Sequence, residues 1–213
     1  MKDIKNVLKD GKIVCVMRGI PVESVLDTVK AIVDGGITIL EFTYDHTYEG
    51  GIEDTLKKIE IASKALEGKA YVGAGTVLTV KEVEMAASAG AKFIVSPNTN
   101  VDVIKKTKEL SLLSLPGAFT PTEIQLAYES GADFVKVFPA EVGKPYLKAL
   151  IGPLKHVPMI VVGGIDENNI KEYLEIGFFG AGIGALLVNE KLVNEKAFDK
   201  ITEKAKRIVD AAK

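Results

Sequence analysis

Short apolar runs alternate with amphipathic stretches along the whole chain. The runs are Ile13–Met17, Ile37–Thr43, Ala70–Val77, Phe93–Pro97, Leu112–Pro116, Phe134–Pro139, Met159–Val162 and Phe178–Leu187. They are rich in Val, Ile and Phe and mostly lack strict polar alternation, the pattern of strands covered on both faces. The stretches between them carry helical periodicity. In Val22–Asp34, for example, Val22, Val25, Leu26, Val29, Ile32 and Val33 fall at three- and four-residue spacing and predict one apolar stripe.

Local chemistry marks where the helices begin and end. Thr120-Pro121-Thr122-Glu123 offers a capping Thr followed by Pro at the first helical position. Asp166-Glu167-Asn168-Asn169 predicts another helix start, with acids near the positive end of the dipole. Glycine closes helices at Gly35-Gly36, Gly90, Gly131 and Gly177, each just before an apolar run. Eight strand-like runs, each followed by a helical pattern, predict an α/β fold of the (β/α)8 TIM-barrel kind. An open doubly wound sheet is the competing architecture. A single domain over residues 1–213 is expected, with a short leading helix over Asp3–Leu8.

Composition narrows the function class. The 213 residues are 47% hydrophobic and 26% charged with net charge −2, so no basic field points to nucleic acid or an anionic membrane. Met1 to Asp10 is polar where a signal peptide is apolar, and no apolar run is long enough to span a bilayer. The expected location is cytoplasmic. The single cysteine, Cys15, makes no internal disulfide and reads as a small core residue.

Two charges interrupt runs that should be buried: Glu41 in Ile37–Thr43 and Lys136 in Phe134–Pro139. Both lie toward the C-terminal ends of their strands, the face on which such barrels build sites. A structural ion pair or a strand end slipping into solvent is the bland explanation. Imine chemistry explains both residues at once. A desolvated amine loses proton affinity and becomes nucleophilic, and a nearby carboxylate moves the protons. Metal chemistry instead asks for a cluster of His or acidic ligands, whereas His46 and His156 lie far apart in the chain, so no metal is expected.

The ordered segments Leu40-Glu41-Phe42-Thr43, Val72–Leu78, Ile94–Asn98, Pro116-Gly117, Val135–Ala140 and Gly163-Gly164-Ile165 extend this reading. Together they resemble the 2-keto-3-deoxy-6-phosphogluconate / 4-hydroxy-2-oxoglutarate aldolases and their phosphogalactonate-cleaving relatives, over nearly the whole chain. The resemblance implies Lys136 as Schiff-base lysine and Glu41 as general acid/base. It implies Thr76 and the amides around Gly75 as holders of the pyruvoyl carboxylate, and Arg18 as a cation at the site. Pro97, Pro116, Gly117 and Phe138 would shape the pocket. It also implies a homotrimer that needs no cofactor.

A phosphate end has its own physical argument. Gly163-Gly164 and Gly182-Ile183-Gly184 expose backbone N–H groups beside helix starts, where barrels commonly bind phosphate, although tight turns alone also account for glycine there. Three positions depart from the family pattern. Ala185 stands where many members carry Ser, Val162 where many carry Thr, and Asp45 where many carry Arg. The loop through Tyr48-Glu49-Gly50-Gly51 looks longer than usual. His46 reads as a surface-loop residue or a substrate contact, and Phe198–Lys213 as an amphipathic helix with a solvated basic face.

The leading expectation is cleavage of 2-keto-3-deoxy-6-phosphogluconate to pyruvate and glyceraldehyde 3-phosphate. The phosphogalactonate substrate or 4-hydroxy-2-oxoglutarate are the variants. A phosphosugar isomerase or synthase without an imine, and a non-catalytic barrel, are the competing classes.

Overall fold

A computed structural model describes residues 4–213. Nine strands form one parallel sheet: β1 (Ile13–Met17), β2 (Ile39–Thr43), β3 (Tyr71–Gly75), β4 (Phe93–Val95), β5 (Leu113–Leu115), β6 (Gly117–Ala118), β7 (Val135–Val137), β8 (Met159–Val162) and β9 (Gly180–Ile183). Their order is β5-β4-β3-β2-β1-β9-β8-β7-β6. The two ends of that order, β5 and β6, are consecutive in the chain and are separated only by Pro116. Proline has no N–H to give the ladder, so one barrel strand reads as two pieces. The Pro116 carbonyl still accepts the Lys136 amide at 2.8 Å, and the ring nearly closes there. The expected eight-stranded barrel is thus present, its fifth strand crossing the proline that ends the predicted run.

The helices are α1 (Ile4–Gly11), α2 (Val25–Asp34), α3 (Gly51–Ala65), α4 (Val80–Ser88), α5 (Val101–Glu109), α6 (Pro121–Glu129), α7 (Lys144–Ile151), α8 (Ile170–Ile176), α9 (Glu190–Asn194) and α10 (Phe198–Ala211). The leading helix is present from Ile4; Asp3 lies outside the described residues. Thr120 and Glu123 cap α6 reciprocally with Pro121 in the first turn, as the sequence predicts. Thr79 and Glu82 do the same for α4, a cap whose Thr-x-x-Glu spacing is just as legible.

Three expectations need correction. The stretch Val22–Asp34 is a 3-10 turn at Val22–Ser24 followed by α2, and Leu26 of the predicted stripe is half exposed. The Asp166–Asn169 segment is a turn in which Asp166 accepts the Asn168 amide, and α8 starts only at Ile170. The last strand stops at Ile183, because Gly184 begins a turn whose carbonyl accepts the Leu187 and Val188 amides.

Strand alternation divides the core in two. One cluster lies between the strands and the helices. The other comprises Leu8, Val14, Ile39, Tyr71, Phe93, Val95, Leu113, Leu115, Phe134 and Ile160, the alternate residues that face the lumen. Leu8 of α1 belongs to this second cluster, so the leading helix plugs the N-terminal end of the barrel. Phe93 fills the middle of the lumen because Gly73 leaves room for it: a Cβ on Gly73 would stand 2.6 Å from the Phe93 ring. Phe93→Ala is therefore expected to lower unfolding free energy by about 3–5 kcal/mol in urea titrations, with no change in the far-UV spectrum of the folded state.

Candidate active site

Above the Phe93 layer the lumen turns polar. Glu41 sits in the middle of β2, paired in register with Val16 on β1 and Gly73 on β3, and is only 2% exposed. Its side chain leans over β3 into space left by Gly75, where an added Cβ would lie 1.8 Å from Glu41 Oε1. The missing side chain of Gly75 is the hole that admits the carboxylate.

Lys136 enters from the opposite arc of the barrel, on β7, in register with Gly117 and Ile160. Its amine lies 5.1 Å from the centroid of the Phe138 ring, two residues along the same strand face. Burial lowers the Lys136 pKa; the Glu41 charge opposes that shift and the Arg18 charge adds to it. Burial likewise raises the Glu41 pKa, against the pull of Lys136 and Arg18. Each group is pushed toward its neutral form, and each feels the other. The two charges singled out in the sequence therefore meet in one electrostatic neighbourhood, with Arg18 as a third member.

Arg18 follows β1 and is exposed at the mouth. Together with Thr43 and Thr76 it lines a cavity of about 670 Å³ that runs beneath the loop after β2, past Tyr44, Asp45, His46 and Lys58. Thr76 has a φ of 56°, a left-handed conformation unusual for a β-branched residue and of the kind that gathers at functional sites. Backbone bonds on either side hold it there: the Tyr44 amide donates to the Gly75 carbonyl at 2.8 Å, and the Val77 amide to the Val95 carbonyl at 3.2 Å. Asp45 accepts both the amide and the hydroxyl of Thr47, which keeps its carboxyl below the usual range.

The residues expected to shape the pocket occupy neighbouring strand ends and do not line that cavity. Gly117 passes so close to β4 that a Cβ would lie 2.3 Å from the Pro97 carbonyl oxygen. Pro116 joins β5 to β6 beside it, and Phe138 is 41% exposed at the rim. Gly163 and Gly164, after β8, take φ values of 114° and 63° in the turn that follows the strand. Gly182 faces the lumen, where a Cβ would lie 2.8 Å from Val162 Cγ2, while Gly184 stands at the strand end. One neighbour escaped the sequence reading. Glu141, just past β7, lays its carboxylate against Gly163, with Oε2 2.2 Å from the position of a Cβ there. Nothing in the local sequence places it, because the contact joins two separate strand ends.

Fold and site together describe a barrel enzyme whose two lumenal charges, expected toward the carboxyl ends of their strands, stand instead at the middle of β2 and of β7. More particularly, the chain belongs to the KDPG and KHG aldolase family, whose model matches residues 4–204. A 2-dehydro-3-deoxy-phosphogluconate aldolase of Haemophilus influenzae is 31% identical over 214 residues, covering 100% of this chain and 98% of that one. A 2-dehydro-3-deoxy-6-phosphogalactonate aldolase of Escherichia coli is 31% identical over 175 residues, covering 81% and 82%. The structure of a KDPG aldolase from Legionella pneumophila, with pyruvate captured as a covalent carbinolamine, superposes with a TM-score of 0.84 at 26% identity, covering 97% and 98%. Aldolases of this family are carbon–carbon lyases, and the chain is one by membership.

The electrostatics make a pH prediction. Lys136 is nucleophilic only when neutral, so its covalent trapping by a ketone should rise with pH with a midpoint below the ordinary lysine value of 10.5. Glu41 is the charge that raises this pKa. Glu41→Gln removes it, and the midpoint should move further down; an upward move would contradict the assigned neighbourhood.

Proposed function

We propose that this chain is a class I aldolase that cleaves 2-keto-3-deoxy-6-phosphogluconate into pyruvate and glyceraldehyde 3-phosphate through an imine on Lys136. The observation that carries this reading is a half-buried lysine and a buried glutamate entering one lumen from opposite strands, each pushed by burial toward its neutral form. The carbinolamine held by the Legionella relative is the intermediate this route requires, and it supports the reading.

The steps follow from the two groups. Neutral Lys136 adds to the C2 ketone, and protonated Glu41 gives its proton to the carbinolamine hydroxyl, which leaves as water and yields an iminium. Glu41 as carboxylate takes the proton of the C4 hydroxyl. The C3–C4 bond breaks, its electron pair flows into the iminium to give an enamine, and the aldehyde departs. Glu41, now protonated, returns its proton to C3, and water hydrolyses the pyruvyl iminium to release Lys136. A carboxyl whose pKa burial has raised suits both halves of that proton traffic.

Arg18, Thr76 and the backbone around Gly75 are assigned to the substrate carboxylate. Pro97, Pro116, Gly117 and Phe138 are assigned to the walls, and the turns at Gly163-Gly164 and Gly182–Gly184 to the phosphate. One observation favours a second substrate, 4-hydroxy-2-oxoglutarate. The Glu141 carboxylate lies on the Gly163 turn and Ala185 brings no hydroxyl, whereas the departing glyoxylate is too short to need either. The phosphogalactonate-derived substrate shares the imine route.

Borohydride added with pyruvate should attach one pyruvyl mass to Lys136, read by peptide mass spectrometry; label at another residue, or none, overturns the proposal. Lys136→Ala should abolish cleavage. Glu41→Gln should keep some label while losing turnover by about a hundredfold or more. Pyruvate release from the three keto acids then ranks the substrates.

A single domain in a cytoplasmic homotrimer is the accompanying proposal. Light scattering should give three times the 22.9 kDa chain mass, and a monomeric mass would remove the trimer.

A further inference from the structure

Two loops at the mouth of the barrel meet on one buried carboxylate that the proposed chemistry does not use. Glu82, in the first turn of α4, is 7% exposed. Its Oε2 accepts the Leu78 amide at 2.6 Å and the Thr79 amide at 3.3 Å. Its Oε1 lies 3.2 Å from Nε2 of His46, and its backbone carbonyl accepts the Tyr44 hydroxyl at 3.1 Å. Leu78 and Thr79 belong to the turn that begins at Thr76. Tyr44 and His46 belong to the loop that leaves β2 two residues beyond Glu41.

A helix cap alone needs only the Thr79 contacts. The bonds to Tyr44 and His46 exceed that need, and they tie the β2 loop to the β3 loop across the wall of one cavity. Tyr44, His46 and Thr76 all line that cavity, beside Arg18 and Thr43. The Tyr44 and His46 rings add an edge-to-face contact at 6.2 Å. Glu82 is therefore the point at which the Thr76 turn, with its left-handed threonine, and the loop carrying His46 become one rigid unit.

We propose that Glu82 is a positioning residue: through His46, Tyr44 and the 76–79 turn it sets the wall of the cavity that receives the pyruvoyl end of the substrate. The inference rests on the imine reading of Lys136, and the experiment separates the two. The full-length protein is inactivated by borohydride at a series of pyruvate concentrations, which gives a half-saturating concentration and a maximal rate.

Glu82→Ala is expected to raise half-saturating pyruvate about tenfold while the maximal rate stays within about twofold, since the lysine itself is untouched. His46→Ala should raise it in the same direction. The double variant should be no worse than Glu82→Ala, because both changes break one unit. Glu82→Gln, which keeps an acceptor for the amides and a donor for the imidazole, should stay near the parent value. An unmoved half-saturating concentration in Glu82→Ala, additive effects in the double variant, or a fall in maximal rate alone would each overturn the positioning role. Should Glu82→Ala fail to fold, His46→Ala and Tyr44→Phe carry the same comparison, and unmoved values in both overturn the proposal. A parent protein that takes no label refutes the imine reading instead.

Discussion

Holding an amine and a carboxylate inside a nearly closed ring of strands is the constraint around which this barrel is organised. Either charge alone, stripped of water, would cost several kcal/mol. Each one's field offsets part of that cost for the other, while burial, the larger effect, moves both proton affinities toward the neutral form. The surrounding glycines follow from this. Glu41 reaches its place only because Gly75 has no side chain, and the layer beneath is sealed by a Phe93 ring that fits only because Gly73 has none. Glycine inside a strand normally weakens it; here two of them in β3 trade strand strength for the shape of the lumen.

The two ends of the barrel divide the labour. At the N-terminal end Leu8 plugs the lumen, and polar groups there are tied off structurally. Lys108 donates to the buried Asp133 carboxylate at 2.5 Å, that carboxylate also takes the Ser114 amide, and Lys12 reaches the Ala212 carbonyl to fasten the C-terminal helix. At the C-terminal end the groups are left available. Arg18 is exposed at the mouth, Thr76 is held in a strained conformation, and Phe138 shows much of its ring.

The mouth itself is assembled from loops that share side-chain partners. Glu82 joins the turns after β2 and β3. Asn100 caps α5 and donates to the Leu78 carbonyl, which extends the link to the turn after β4. Thr99 donates to the Gly117 carbonyl and brings in the fifth strand. The loops after β2, β3 and β4 and the fifth strand thus share side-chain partners at the mouth.

Much of this was legible along the chain. Period and composition determined the alternation of strand and helix, since a strand buried on both faces has to be apolar throughout and a covering helix has to be apolar on one side. Glu41 and Lys136 stood out because charge inside such a run needs a reason. Tertiary structure alone decided the contacts between distant segments. Leu26 turned to solvent, Pro116 split a strand without opening the ring, Glu141 came to rest on Gly163, and Tyr44 and His46 found Glu82 thirty-six and more residues away. Local sequence fixes what a segment prefers to be, through dihedral preference and the burial of one face. Which side chain meets which across the lumen depends on register and closure, and these exist only once all the strands are in place.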